Sequence, residues 1–181
     1  MANAEKSASS GTVYFKGSCV CKRITYDCTE APTKAQNCHC TTCRKLSGGP
    51  YQSFTDVRSK AVILCDDKER LRYEGLPKDD MGGISFLRLS PVAERAFCVT
   101  CHTPLAMRYH HDYHTIGLTL GTIDEESVAD DKTREALKPD MHIFVSQKVW
   151  WVDLEKDALP AHERFSGNYE DEMKAWQGKQ G

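Results

Sequence analysis

The sequence lacks a long apolar run. Nowhere in its 181 residues does an uninterrupted apolar stretch approach the roughly 20 residues that a membrane-spanning helix needs. The first ten residues, MANAEKSASS, are small and polar and lack the apolar core of a secretory signal. The sequence therefore predicts a soluble, cytoplasmic protein without a membrane partner.

The sequence also lacks an excess of charge of either sign. Its 24 basic and 26 acidic residues give a formal net charge of -2, and the two signs are interspersed. No broad basic surface is expected, which argues against nucleic acid as a partner and against a polybasic membrane anchor. No break in composition divides the chain, so one domain with a substantial core is predicted.

Cysteine, by contrast, is abundant. Nine cysteines are an odd number that cannot all pair, and structural disulfides are disfavoured in a reducing compartment. Seven of them fall into three tight clusters, where a spacing of one to three positions lets the sulfurs face a single ion. These clusters are Cys19 and Cys21, then Cys38, Cys40 and Cys43, then Cys98 and Cys101. The pattern predicts metal binding, with two Zn²⁺ per chain.

The first and third clusters together predict a structural zinc. Cys98 and Cys101 follow a strand-like residue and form half of a zinc-ribbon-like site, which needs a second pair from elsewhere. Cys19 and Cys21 are the natural complement. Four thiolates around Zn²⁺ form a closed tetrahedral centre that joins distant segments and leaves no position for a substrate.

The middle cluster predicts a catalytic zinc. Cys38, Cys40 and Cys43 supply three ligands, and three protein ligands with one open position are typical of catalytic sites. Because three thiolates make the ion a weak Lewis acid, a soft incoming thiol suits it better than water. The alternative is a structural site completed by a fourth side chain. The candidates for that ligand are His39, His102, Cys28 and Cys65.

Short strand-like segments between turn-forming residues predict a mainly β fold made of several small antiparallel sheets around the two zinc sites. The predicted strands are 12–16, 23–28, 51–54, 61–64, 70–73, 84–89, 95–97, 104–108, 114–123 and 142–145. Cys19 and Cys21 are expected at the tip of the first hairpin. The middle cluster is predicted as mostly loop, with one helical turn at 43–46.

The ends of the chain are predicted to lie outside the zinc domain. Residues 1–10 are expected to be a disordered tail, 11–160 the domain, and 161–181 a C-terminal extension. Within that extension, 170–177 contains good helix formers with a narrow apolar face, which predicts either a short packed helix or a frayed tail. Tyr51, Trp150 and Trp151 are expected in the core, as aromatic residues in strand-like runs usually are.

With these motifs in place, the sequence resembles the glutathione-dependent formaldehyde-activating (GFA) family, which includes the centromere protein V type. The resemblance covers about residues 12–160, and three cysteine motifs in the right order make it specific. The matching motifs are GSCVC at 17–21 with ITY at 24–26, CHCTTCRKLSG at 38–48, FCVTCHTPL at 97–105, GTID at 121–124, and HIFVSQK at 142–148 with Trp150 and Trp151.

The resemblance implies an all-β fold of several small sheets with a four-cysteine structural zinc and a three-cysteine active centre. It also implies carbon-sulfur lyase activity, which joins glutathione and formaldehyde to S-(hydroxymethyl)glutathione and reverses that reaction. One departure is His102, where the family usually has glycine after the last cysteine. Because glycine serves a turn with positive φ, histidine must either accept that conformation or bend the loop differently.

The lyase hypothesis needs a thiol at the open position and an acid or base for the proton on the hemithioacetal oxygen. Arg44 and Lys45 are predicted to hold glutathione carboxylates or to be solvated. The acid-base candidates are His39, His102 and His142. Two alternatives remain: a GFA-like lyase for another C-S or C-N bond in specialised metabolism, and a non-enzymatic module that binds zinc or carries glutathione.

Overall fold

The computed structural model describes residues 12–167 and 169–179. Within them the chain forms twelve strands and three α-helices. The strands are β1 (Phe15–Ser18), β2 (Ile24–Cys28), β3 (Lys34–Cys38), β4 (Gln52–Arg58), β5 (Val62–Asp66), β6 (Leu71–Glu74), β7 (Ile84–Leu87), β8 (Ala93–Cys98), β9 (Pro104–Tyr109), β10 (Asp112–Thr119), β11 (His142–Ile143) and β12 (Ala161–His162). The helices are α1 (Thr41–Ser47), α2 (Asp131–Ala136) and α3 (Tyr169–Gln177). The predicted disordered tail, 1–10, lies outside the described residues.

Short 3₁₀ turns connect several of these elements. They are Ser59–Ala61, Leu120–Thr122, Glu125–Ser127 and Val145–Gln147. None of the helices in the described ranges is long and apolar enough to cross a membrane.

The strands form two sheets. The smaller has the order β1-β2-β5-β6 and is antiparallel throughout. The larger has the order β12-β11-β3-β4-β10-β9-β8-β7, in which β11 runs parallel to both of its neighbours and the other pairs are antiparallel. The predicted mainly β fold is confirmed, and the parallel pairs at one edge are a detail that the strand pattern did not predict.

The main core lies between the two sheets. Phe15, Ile24 and Tyr26 from the small sheet and Ile116 and Leu118 from the large one belong to one buried apolar cluster. Alternation explains their inward position, because β2 buries every second residue. Burial of these large side chains supplies the main driving force for packing the sheets together.

A second, smaller core lies around the middle cysteine cluster. Cys38 and Cys43 are buried there with Phe54, Met107 and Ile143, which come from β4, β9 and β11. Strand β3, which carries Cys38, lies between β4 and β11. The middle cysteine cluster is therefore built into the sheet at its parallel edge.

Strand β3 and helix α1 replace the loop that was predicted around the middle cluster. Lys34–Cys38 contains no β-branched or aromatic residue, so its local sequence gives no strand signal, yet it pairs on both sides. Pairing with two neighbours outweighs this weak propensity. Helix α1 is longer than the predicted turn, because Cys40 caps its start and Gly48, at φ 69, ends it.

The core assignment of the two tryptophans was wrong. Trp150 is 90% exposed and Trp151 56% exposed, in an irregular segment after the last 3₁₀ turn. Because this segment forms no strand, its side chains are not directed into a sheet core. Tyr51 is half-buried and packs edge-on against His39, with ring centroids 5.1 Å apart.

The C-terminal residues are closely attached to the large sheet. Ala161–His162 pairs in parallel with β11, and 170–177, predicted as a packed helix or a frayed tail, lies in α3. Met173 of α3 is buried, and the ring of Tyr169 lies 5.1 Å from that of Tyr109 in β9. The division at 160/161 stays a prediction.

A buried ion pair holds the turn after β1 to the rest of the small sheet. Arg23 donates from Nε and Nη2 to the two carboxylate oxygens of Asp66, at 3.1 Å each. Its Nη1 also donates to Thr100 Oγ1 at 3.1 Å, in the turn that follows β8. Asp66 is fully buried, and Gly83 lies so close that an added Cβ would be 2.7 Å from its Oδ2. Arg23 therefore connects the turn that carries Cys19 and Cys21 with the turn that carries Cys98 and Cys101.

We expect Asp66→Ala to lower the free energy of unfolding by about 2–3 kcal/mol, because it removes charged hydrogen bonds and leaves Arg23 without its main partner. The measurement is denaturant unfolding of the metal-loaded protein. Asp27→Ala is the matched control, since Asp27 pairs with Lys16 at the surface, and it should cost less than about 1 kcal/mol. Equal effects of the two changes would contradict a special role for Asp66.

Candidate metal centres

The structure brings the first and third cysteine clusters together. The sulfurs of Cys19, Cys21, Cys98 and Cys101 all lie within 4.8 Å of one another. Cys21 Sγ is 3.5 Å from Cys19 Sγ and 3.8 Å from Cys98 Sγ. A tetrahedral zinc with Zn–S bonds of about 2.3 Å places its sulfurs about 3.8 Å apart. These separations are close to those of a tetrahedral zinc site, so the four residues fit a zinc ion.

Two similar turns carry this four-sulfur group. One follows β1 and the other follows β8, and in each the residue after the last cysteine has a left-handed backbone, Lys22 at φ 60 and His102 at φ 58. Lys22 N donates to Cys19 O and His102 N donates to Cys98 O, both at 2.9 Å. His102 thus accepts the positive φ that a glycine would adopt at no cost.

The middle cluster forms a separate group of three sulfurs. Cys38 ends β3, Cys40 is the N-cap of α1, and Cys43 lies in the first turn of that helix. Their sulfurs lie within 4.8 Å of one another, and Cys40 Sγ accepts a hydrogen bond from Cys43 N at 3.4 Å. Among the described residues no fourth His, Cys, Asp or Glu joins the group, so none of the predicted fourth ligands does.

A buried guanidinium faces the three-sulfur group. Arg95 of β8 donates from Nη2 to Cys43 Sγ at 3.7 Å. Arg95 is buried, and within the described ranges its Nε has no hydrogen-bond partner. An arginine in such a position offsets the negative charge of neighbouring thiolates.

The sulfurs strongly affect one another's ionisation. Hydrogen bonding to Cys40 and Cys43, together with burial, raises the pKa of Cys38, while interaction with Cys38 lowers the pKa of Cys40. In the other group, burial raises the pKa of Cys19 to about 12. For Cys101, burial acts to raise the pKa, but hydrogen bonds with Thr103 and Cys21 together outweigh it and lower the pKa to about 6. Each group therefore needs a cation before all of its sulfurs can be thiolates together, which is the chemistry of a metal site.

Two buried histidines lie beside the three-sulfur group. His39 lies between Cys38 and Cys40. Its Nε2 and Nδ1 of His142 share a hydrogen bond of 2.8 Å, and His142 Nε2 lies 2.9 Å from Asp157 Oδ2. Burial, followed by the charge of His142, lowers the pKa of His39 to about 4. The ring of His39 points into this chain of hydrogen bonds and stays outside the sulfur group.

The residues predicted for the site are thus divided between two places. His39 and His142 lie next to the three-sulfur group, whereas His102 belongs to the turn of the four-sulfur group. Arg44 donates from Nε to His39 O at 3.1 Å and so stabilises the cysteine turn. Cys28 is buried in the main core, and Cys65 is half-buried in β5.

Sequence reasoning missed Arg95 and Asp157. Arg95 lies in a strand whose six residues are all buried, including the charged Glu94, and nothing in the local pattern marks it as a neighbour of a cysteine 52 positions away. Asp157 lies in the irregular segment after β11. A hydrogen-bond partner for a buried His142 could be expected, but the sequence does not say which acid supplies it.

We expect His102→Gly to stabilise the protein by about 0.5–1 kcal/mol, because relief of the left-handed strain outweighs the added freedom of glycine in the unfolded chain. His102→Ala is the control, since it keeps a Cβ and the strain. Thermal unfolding of the metal-loaded variants measures the difference. If the glycine variant is no more stable than the alanine variant, the backbone strain at this turn is negligible.

Comparison with known proteins places this arrangement in a family. No curated protein matches the chain. A crystal structure of a Rhodobacter sphaeroides protein aligns with a TM-score of 0.44 at 12% identity, covering 81% of this chain and 98% of that one. The family model of the glutathione-dependent formaldehyde-activating enzyme (GFA) matches residues 14–147, a span that contains all seven clustered cysteines. The chain therefore belongs to the GFA family.

Proposed function

We propose that the protein is a zinc-dependent carbon-sulfur lyase. It forms or cleaves the bond between the sulfur of a glutathione-like thiol and a small carbonyl-derived carbon. The observation that supports this is the three-sulfur group of Cys38, Cys40 and Cys43, which no fourth ligating side chain of the described residues completes. Membership of the GFA family supports the choice of glutathione and formaldehyde as the first substrates to test.

The four-sulfur group has the structural role in this proposal. Its two cysteine pairs come from the turn after β1 and the turn after β8, which belong to different sheets. A zinc held by all four residues is coordinatively complete, so it has no position for a thiol. Binding there stabilises the packing of the two sheets.

Charge favours a thiol at the three-sulfur group. Three thiolates and one Zn²⁺ carry a net charge of about -1, whereas four thiolates would leave about -2. Arg95, with its Nη2 3.7 Å from Cys43 Sγ, brings the total at the smaller group close to zero. A further anionic sulfur is then less strongly repelled than it would be beside the four-sulfur group.

The proposed reaction adds a thiol to an aldehyde. The carbon-sulfur bond forms as the π bond of the carbonyl breaks, and the thiol proton ends on the new hydroxyl oxygen. Zinc, when bound, lowers the pKa of a thiol and fixes its orientation. Cys38, Cys40 and Cys43 would hold the ion, and Arg95 would balance their charge. The hydrogen-bonded pair of His39 and His142 holds the turn that carries Cys38 and Cys40.

Metal content gives the first test. We expect about two Zn²⁺ per wild-type chain and about one in Cys43→Ala, with the far-UV circular dichroism spectrum unchanged. Cys28→Ala is the matched control, because Cys28 is equally buried but lies outside both sulfur groups. It should retain both ions. Unfolding of Cys43→Ala but not of Cys28→Ala would make the second zinc structural and would reject the proposal.

Turnover gives the second test. Exchange between glutathione plus formaldehyde and their adduct can be followed by NMR and compared with the uncatalysed rate. We expect acceleration by the wild type and by Cys28→Ala, and at least a 100-fold loss, on the order of a missing catalytic group, in Cys43→Ala.

Co²⁺ substitution distinguishes a lyase from a module that only carries glutathione. A thiol that reaches the open position should change the visible spectrum of the Co²⁺ protein, and the change should be absent in Cys43→Ala. A spectral change without rate acceleration would favour a glutathione-carrying module. No spectral change with any thiol would contradict the open position itself.

A further inference from the structure

A small cavity lies on the same face of the large sheet as Cys38. Its volume is about 60 Å³, roughly twice the share of one water in the liquid, so it can hold the charged end of an amino acid but not a whole peptide. Met107, Tyr109 and Ile143 line it, and the same three residues pack with Cys38 and Cys43. The cavity and the three-sulfur group therefore share a wall.

The floor of the cavity carries two opposite charges that do not pair. Lys34 of β3 and Asp56 of β4 are direct cross-strand partners, and both line the cavity. Such neighbours normally form an ion pair. Here Lys34 Nζ donates instead to Ser166 Oγ at 2.7 Å.

The carboxylate of Asp56 has neither a hydrogen bond nor an ion pair among the residues that the structure describes. Burial raises the pKa of Asp56 to about 6, and the positive charge of Lys34 only partly opposes this effect. Asp112 and Tyr169, the other ionisable groups that act on it, supply no cation, and Arg108, which also lines the cavity, is paired with Glu94. A largely buried carboxylate whose neighbouring cation bonds elsewhere is costly to keep ionised unless a ligand supplies a partner.

We propose that this cavity binds the amino-acid head of the thiol substrate. The ammonium group of that head pairs with Asp56, and its carboxylate accepts hydrogen bonds from Lys34 and Ser166. The inference rests on the proposed function, because it gives a binding place to the far end of a thiol whose sulfur would lie at Cys38, Cys40 and Cys43. The presence of Lys34 disfavours a metal ion or a simple cation, since its ammonium group would repel either one, whereas an amino-acid head also brings a carboxylate that Lys34 can bind.

The separation of the two sites suits a small peptide. Lys34 and Cys38 are four positions apart on β3, which corresponds to about 13 Å at about 3.3 Å per residue. Two or three extended residues span about 7–11 Å. A Zn–S bond adds about 2.3 Å and a charged hydrogen bond about 2.8 Å, so a thiol of dipeptide or tripeptide length is long enough to extend from one site to the other.

The test compares two thiols that differ only in the head: glutathione, and glutathione acetylated on its α-amino group. Their dissociation constants for the zinc-loaded protein are measured by calorimetry. We expect wild type to bind glutathione about 10- to 100-fold more tightly, the usual effect of one charge-assisted hydrogen bond. Asp56→Asn should remove this preference and bind the acetylated thiol as wild type does. Asp27→Asn, on the small sheet, should keep the full preference.

The melting temperature of the variant distinguishes a binding role of Asp56 from a purely structural one. Because the folded protein raises the pKa of Asp56 above its ordinary value, the ionised carboxylate destabilises the fold at neutral pH. Asp56→Asn should therefore melt at the same or a higher temperature while binding glutathione more weakly. A lower melting temperature together with weaker binding of both thiols would assign Asp56 to the fold and overturn the inference.

The remaining outcomes separate this inference from the proposed function. If neither thiol binds the wild type, the proposed function fails and the inference fails with it. If both bind equally well, only the assignment of the cavity is wrong, and this result needs no variant. Free glutamate carries the same ammonium and carboxylate groups as the head of glutathione. If free glutamate binds as tightly as glutathione, the cavity is a site for a free amino acid and the proposal is overturned.

Discussion

Repulsion among closely spaced sulfurs is the constraint on which the rest of the structure depends. Seven cysteines lie in two groups, and within each group the ionisation of one sulfur opposes that of its neighbours. A divalent cation bound there would turn this repulsion into attraction and so couple folding to metal binding. In the four-sulfur group that attraction would act between the two sheets, and Arg23 supports the same two turns through Asp66 and Thr100.

The two groups differ in how the chain builds them. The four-sulfur group joins segments 77 positions apart, so its geometry requires both sheets to be in place. The three-sulfur group comes from six consecutive positions at the end of β3 and the start of α1, and tertiary packing supplies its surroundings. Arg95 from β8 and the chain from His39 through His142 to Asp157 are those surroundings. The local cysteine set thus depends on distant residues for its support.

The sequence predicted the parts of the site that depend on spacing. The two sulfur groups, the hairpin that carries Cys19 and Cys21, and the mainly β fold all follow from short-range patterns that the structure shows. Strand β3 was missed because its pairing partners, and not its own residues, make it a strand. Arg95 and Asp56 were missed because their significance depends on neighbours far away in the chain. Trp150 and Trp151 were misplaced because an apolar side chain outside a regular strand has no fixed inward direction.

The wall of the small cavity has a different origin from the sulfur groups. Part of this wall is formed by residues near the C-terminus, namely Phe165, Ser166 and Tyr169, whereas the GFA family match ends at residue 147. The three-sulfur group and this part of the cavity wall thus come from separate stretches of the chain. Exchange of the C-terminal stretch alone would reshape this part of the wall while leaving Asp56 and every clustered cysteine in place, so the shape of the cavity can evolve independently of the sulfur groups.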